Sequence, residues 1–166
     1  MRASSVLFRF APGKLLILVD LTEPFRESQR QPKPPGRLLA VDLGAKRVGV
    51  AVCDELRLTV RPLMIIERRS WKNLLKQVAE QIERLGVAGL VIGLPVNMDG
   101  SEGAASAEVR RLAENFRRSL SVPVYLQDER LTTEEAKSRI SNSTRQTDVD
   151  AEAAAVILQD FLSQAR

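Results

Sequence analysis

Three acidic positions stand where apolar runs end or helical patterns begin. Asp42 closes the run Leu38–Val41. Glu129, with Asp128 beside it, comes after the run Val122–Leu126. Asp150 precedes an amphipathic stretch carrying Ala154, Val156, Ile157, Phe161 and Leu162. Ligands of open α/β sheets bind outside the carboxyl ends of strands, so acids at such ends can converge from distant parts of a chain. Clustered carboxylates repel one another and are costly unless a cation sits among them. Oxygen-only donors suit hard ions such as Mg²⁺ or Mn²⁺. Two such ions, ~3.5–4 Å apart, can stabilise both the attacking and the leaving oxygen in phosphodiester hydrolysis. Each acid also has an ordinary structural use. Asp42 before Leu43-Gly44 can make a turn, Glu129 can pair with Arg130 at the surface, and Asp150 can cap helix amides. The joint pattern is what points to a metal site.

The chain has 166 residues, no histidine and one cysteine, Cys53. Ser-His-Asp and Cys-His catalysis, HExxH zinc chemistry and imidazole proton shuttles are thereby excluded. A single cysteine also excludes a disulfide framework and suits a reducing compartment. Carboxylate and metal chemistry survives this elimination. The length fits one domain of ordinary size. Hydrophobic residues reach 44% but aromatics only 4%, so the core must be built from Leu, Val, Ile and Ala.

The elements that must position the acids can be read from pattern. Leu38–Val41 and Val48–Val52 read as buried strands joined by a short turn, a hairpin. Thr59–Ile66 reads as a third strand, with Pro62 at an edge or bulge. Ser70 caps a helix in which Leu74, Leu75, Val78, Ile82 and Leu85 recur at helical spacing up to Gly86. Ala88–Ile92 is a strand. Val109, Leu112, Ala113 and Phe116 mark a second helix, and Val122–Leu126 is a fifth strand. Thr132 with Glu135 fits a capping box for a third helix, and a last helix begins after Asp150. Gly44 and Gly49 allow close backbone approach near Asp42. The order β-β-β-α-β-α-β-α-α predicts an α/β fold, a mixed sheet flanked by helices.

Residues 1–36 differ from the remainder of the chain. Gln29–Gly36 is a proline-rich linker. The apolar runs Val6–Phe10 and Leu15–Leu21 around Ala11-Pro12-Gly13 can form a hairpin. This segment is an extension expected to be poorly ordered, ahead of a domain at 37–166. Its runs are too short to span a membrane, and no secretory signal is expected. It carries six Lys/Arg and three Asp/Glu, leaving the rest of the chain with nineteen and eighteen. Global charge therefore gives no argument for nucleic acid. Local pairs do: Lys46-Arg47, Arg68-Arg69, Arg110-Arg111 and Arg117-Arg118 can contact phosphates or simply face solvent. The loop around Gly93, Pro95, Asn97, Asp99 and Gly100 precedes a helix whose amides can hold a phosphate, or it is a turn and a cap.

The pieces VDLGAKRVGVAV (Val41–Val52), VIGLPVNMDGSEG (Val91–Gly103), DERLTTEEA (Asp128–Ala136) and VDAEAAAVILQDFL (Val149–Leu162) occur in this order. Together they resemble the YqgF/RuvX family of the ribonuclease H-like superfamily, from about Arg37 to Ala165. Members are described as Holliday junction resolvases and as nucleases maturing the 5′ end of pre-16S ribosomal RNA. The resemblance implies a ribonuclease H-like mixed five-stranded sheet of order 3-2-1-4-5. It implies a cytoplasmic, Mg²⁺- or Mn²⁺-dependent endonuclease, a monomer or homodimer acting on nucleic acid. Asp42, Glu129 and Asp150 match the family's acids and become the expected metal ligands, with Asp128 a fourth catalytic candidate. Arg130, Thr132 and Thr133 fall at substrate or scaffold positions, and Lys46, Arg47 and Asn97 are expected to contact substrate. Alternatives are a junction resolvase on branched DNA and a non-catalytic nucleic-acid scaffold. A nucleotide-binding ATPase fits poorly, because such enzymes close two domains of this topology and the chain has room for one.

Overall fold

In the computed structural model, residues 34–97, 99–129 and 146–164 are described. Five strands and three helices run in the order β1 (Arg37–Leu43), β2 (Arg47–Cys53), β3 (Val60–Glu67), α1 (Trp71–Leu85), β4 (Val87–Leu94), α2 (Ala104–Ser119), β5 (Val124–Asp128) and α3 (Gln146–Ser163). The strands form one sheet of order β3-β2-β1-β4-β5. β1–β2 and β2–β3 are antiparallel, while β1–β4 and β4–β5 are parallel. The expected mixed sheet and strand order are borne out. Pro62 lies on the edge strand β3, opposite Ala51, where the β2–β3 register shifts. An edge and a bulge are where a residue without an N–H is tolerated.

Period-two alternation divides the sheet into two apolar faces. Leu38, Ala40, Val91 and Tyr125 pack with Ile157, Leu158 and Phe161, so α3 covers this face. An alanine stripe on the same helix, Ala154 and Ala155, meets Ala51 and brings helix and sheet close. The alternate residues Leu39, Val41, Leu90 and Ile92 are also fully buried. They face the side on which α1 and α2 bury Leu74, Val78, Leu112 and Phe116. The Trp71 and Phe116 rings meet edge-on, 4.7 Å between centroids, and tie the start of α1 to α2.

Helix α1 ends where its punctuation requires. The Ser70 hydroxyl accepts from the Asn73 amide at 3.2 Å. Gly86 takes a left-handed φ of 60° and donates its N–H back to the last turn, the usual glycine stop. Helix α3 departs from expectation. It starts at Gln146, so Asp150 lies within its second turn rather than ahead of it. No Gly or Pro interrupts Gln146–Val149, and polar residues are tolerated in a first turn, so the helix runs back past the first apolar residue. The third helix expected after Thr132, the N-terminal hairpin and most of the proline-rich linker lie outside the described residues. No helix among the described residues is long and apolar enough to cross a membrane.

Candidate active site

Asp42 sits on the middle strand, one residue before the end of β1, with a glycine beside it on each neighbouring strand. Gly49 of β2 is its direct partner. On the other side the parallel register pairs Val41 with Ile92, which puts Gly93 level with Asp42. Directly paired residues share a face of a sheet, so Asp42, Gly49 and Gly93 all point toward α3.

Gly49 is required by the helix backbone that approaches it, while Gly93 leaves room that side-chain ends occupy. A Cβ on Gly49 would lie 1.7 Å from the carbonyl oxygen of Asp150. A Cβ on Gly93 would lie 2.3 Å from Oε1 of Glu129 and 2.5 Å from Cδ1 of Ile157. Real Cβ atoms essentially never come so near. The backbone of Asp150 therefore fills one notch and the carboxylate of Glu129 the other, on either side of Asp42. Asp42 on β1, the Glu129 side chain after β5 and the Asp150 backbone on α3 thus lie near one rim of the sheet.

Their electrostatics agree with this placement. Burial, and then the charge of Asp150, pushes the Asp42 carboxyl up to about 6. Burial, then the charges of Asp42 and Asp128, pushes Glu129 up to about 7. Like charges within reach disfavour ionisation, so Asp42 senses Asp150 and Glu129 senses Asp42. Arg47, at the start of β2, brings Nε to 3.0 Å from Oδ2 of Asp150. Its N–H is not aimed along that line: Oδ2 is shielded from solvent and accepts no hydrogen bond. The ion pair with Arg47 is then what offsets the cost of burying it. Among the described residues, no three acids are drawn together into a ready-made metal cage.

Asp128 stands apart from the trio. It is 4% exposed and pairs across the sheet with Leu94. Adjacent strand residues point to opposite faces, so Asp128 faces the α1/α2 side, where its charge is felt by Glu102 in the loop before α2. Lys46 is exposed in the β1–β2 turn. Asn97 is exposed and serves its own loop: its side chain donates to Ser101 Oγ at 2.9 Å and its amide to the Ser101 carbonyl at 3.0 Å. Arg130, Thr132 and Thr133 lie outside the described residues. Arg68 has a role that sequence does not assign to it. Its backbone N–H donates to Lys46 O at 2.9 Å and its guanidinium to Gly44 O at 3.2 Å, which holds the turn after Asp42. Its one visible signal in the sequence is the Arg68-Arg69 pair.

A mixed sheet of this order, helices on both faces and acids at the rim beside the central strand define a ribonuclease H-like fold. Its backbone is similar to that of Thermus thermophilus RuvC in complex with a Holliday junction, with a TM-score of 0.52 and 13% identity over 78% of this chain and 96% of that one. Residues 36–164 match the family described as RuvX: Holliday junction resolvase, and the chain belongs to that family. A relative from Anaeromyxobacter sp. (strain Fw109-5), named "Putative pre-16S rRNA nuclease", is 46% identical over 76% of this chain and 96% of its own length. A Syntrophus aciditrophicus protein of the same name is 41% identical over 76% of this chain and 87% of its own length. One from Rickettsia bellii (strain OSU 85-389) is 38% identical over 78% and 88%.

Proposed function

We propose that this protein is a divalent-metal-dependent endonuclease that hydrolyses phosphodiester bonds in the 5′ processing of pre-16S rRNA, and that it works in the cytoplasm. The observation that supports this reading is the approach of the Asp150 backbone and the Glu129 side chain to the glycines on either side of Asp42, with one buried Asp150 oxygen lacking a hydrogen bond. A buried carboxylate oxygen that accepts no hydrogen bond, beside two acids of raised pKa, is a donor set fitted to a hard cation. Asp42, Glu129 and Asp150 would hold Mg²⁺ or Mn²⁺. When bound, such an ion would supply positive charge to the phosphate oxygens and lower the pKa of a nearby water.

The chain's own residues do the rest. Asp42, on the most deeply paired strand, fixes the position of the acids. Arg47 screens Asp150 and, with Lys46, offers positive charge to an incoming phosphate at the same rim. In metal-free protein burial and neighbouring acids push the Glu129 carboxyl up to about 7, and a cation held there would offset those charges and keep it ionised. The charge of Asp128, on the other face of the sheet, helps to keep Glu129 high. The names of the relatives favour ribosomal precursor RNA as substrate.

The test is cleavage of a precursor 16S rRNA fragment and of a four-way DNA junction, side by side, with Mn²⁺ or with EDTA. The RNA is expected to be cut only with the metal, and Asp42→Asn to lower the rate by more than about tenfold. Full activity in Asp42→Asn, or in EDTA, overturns the proposal. Cutting of the junction alone reassigns the substrate to branched DNA.

A further inference from the structure

On the face of the sheet away from α3, a cavity of about 520 Å³ opens between the β1–β2 turn, the start of α1 and the exposed side of α2. Ala45, Arg68, Arg69, Trp71, Glu108 and Arg111 are among its lining residues. Three cations face one acid. That acid is already occupied, since Glu108 pairs with Arg68. Arg68 is only 18% exposed and is held by Gly44 O as well, so its guanidinium is pre-set in the wall. Arg69 pairs at 2.8 Å with Glu67, but both are largely exposed, and such a surface pair is readily given up. Arg111 is exposed and has no ion pair among the described residues. Trp71 is half-buried against Phe116, and its indole N–H donates to no described residue. Positive charge beside an aromatic wall is the make-up of a single-strand nucleic-acid groove.

The position of the cavity adds to its chemistry. Ala45 belongs to the turn that begins two residues after Asp42, and Arg68 ties that turn to the cavity wall. The acids lie on one side of the turn and the cavity on the other. A strand that runs from the rim over this turn can therefore reach an anion-attracting pocket.

We infer that this cavity is a second nucleic-acid subsite, which takes a single-stranded stretch of substrate flanking the scissile bond: phosphates on Arg111 and Arg69, and a base against Trp71. The inference rests on the nuclease reading for its substrate but not for its test. Binding of a short fluorescein-labelled single-stranded oligoribonucleotide is measured by anisotropy in EDTA, in the Asp42→Asn protein, so hydrolysis plays no part. Arg111→Glu and the double variant Arg69→Glu/Arg111→Glu are expected to weaken binding about tenfold or more, and to flatten the salt dependence by about 0.7 for each phosphate no longer neutralised. Arg84→Glu, an equal charge change on α1 remote from the cavity, is expected to stay within about twofold. Circular dichroism melting checks that the variants fold. No binding by the parent, no loss in Arg111→Glu, or equal loss in Arg84→Glu overturns the subsite. Displacement of the RNA by poly-glutamate of matched charge also overturns it, in favour of an acidic protein partner. Failure of the nuclease reading would show instead as absent cleavage with Arg111-dependent binding intact.

Discussion

Replacing Gly49 by alanine tests the site without touching any acid. The added Cβ would lie 1.7 Å from the carbonyl oxygen of Asp150, 2.3 Å from its carbonyl carbon and 3.0 Å from the amide of Ala151. Ordinary contact begins near 3.4 Å, so strand and helix must part by roughly 1.5 Å. None of the obstructing atoms belongs to a side chain that can rotate away, and β2 is paired along both edges. Overpacking of this kind costs about 1–3 kcal/mol, which at this domain size lowers the melting temperature by roughly 4–12 °C. The same displacement carries the Asp150 carboxylate off Asp42, and about 1 Å of misplacement costs on the order of 100-fold in rate. Gly86→Ala is the comparison. Its φ is +60° and nothing lies within 4 Å of the new Cβ. It is expected to cost about 1 kcal/mol from backbone strain alone and to leave cleavage unchanged. The assay is thermal melting and metal-dependent cleavage on both variants. If Gly49→Ala melts and cuts like the parent, the notch is not what seats Asp150, and the close approach of α3 to β2 does not set the spacing of the acids.

In metal-free protein, Asp42 titrates at about 6 and Glu129 at about 7, against roughly 3.9 and 4.3 unfolded. Raised carboxyls give stability that is complete below the unfolded values and lost as pH climbs through the folded ones. Stability in EDTA should therefore fall between about pH 4 and pH 7, by an amount on the order of 1–3 kcal/mol, and the melting temperature with it. Mg²⁺ should restore more at the upper end than at the lower. The lowered carboxyls Asp54 and Glu102 finish titrating near the bottom of that window, so a rise across it would contradict the burial of Asp42 and Glu129. Arg47→Gln removes a cation that competes for Asp150, and calorimetry is expected to show several-fold tighter Mg²⁺ binding. Phe116→Ala deletes a fully buried ring that also seats Trp71. A loss of about 3–5 kcal/mol in denaturant unfolding is expected.

The sheet is legible in the sequence because its strands are buried on both faces and read as continuous apolar runs, Leu38–Val41 and Ala88–Ile92 among them. α1 is legible from Ser70 and Gly86, whose roles are local. The start of α3 is not. Hydrophobic periodicity is clear only after Asp150, and the turn Gln146–Val149, polar in its first three residues, carries no signal that separates a helix from a loop. Asp128, the last residue of β5, faces the α1/α2 side while Glu129 just after it turns to Gly93, a distinction lost when they are read as a neighbouring pair of acids. Gly49 reads as a point of close approach, but what approaches it is the helix backbone about a hundred residues later in the chain. The arginine-lined cavity is hidden for the same reason: Ala45, Arg68 and Arg111 become neighbours only once β3 and α2 have packed.

The middle strand β1 is bonded to β2 along one edge and to β4 along the other, and Leu38–Val41 are entirely inaccessible. Amides in such a place exchange with deuterium only when the whole molecule opens. Asp42 is mounted on the part of the protein that comes undone last, so heating should not produce an intact-looking but inert form. Loss of cutting and loss of the slowest-exchanging protons should coincide in a single event.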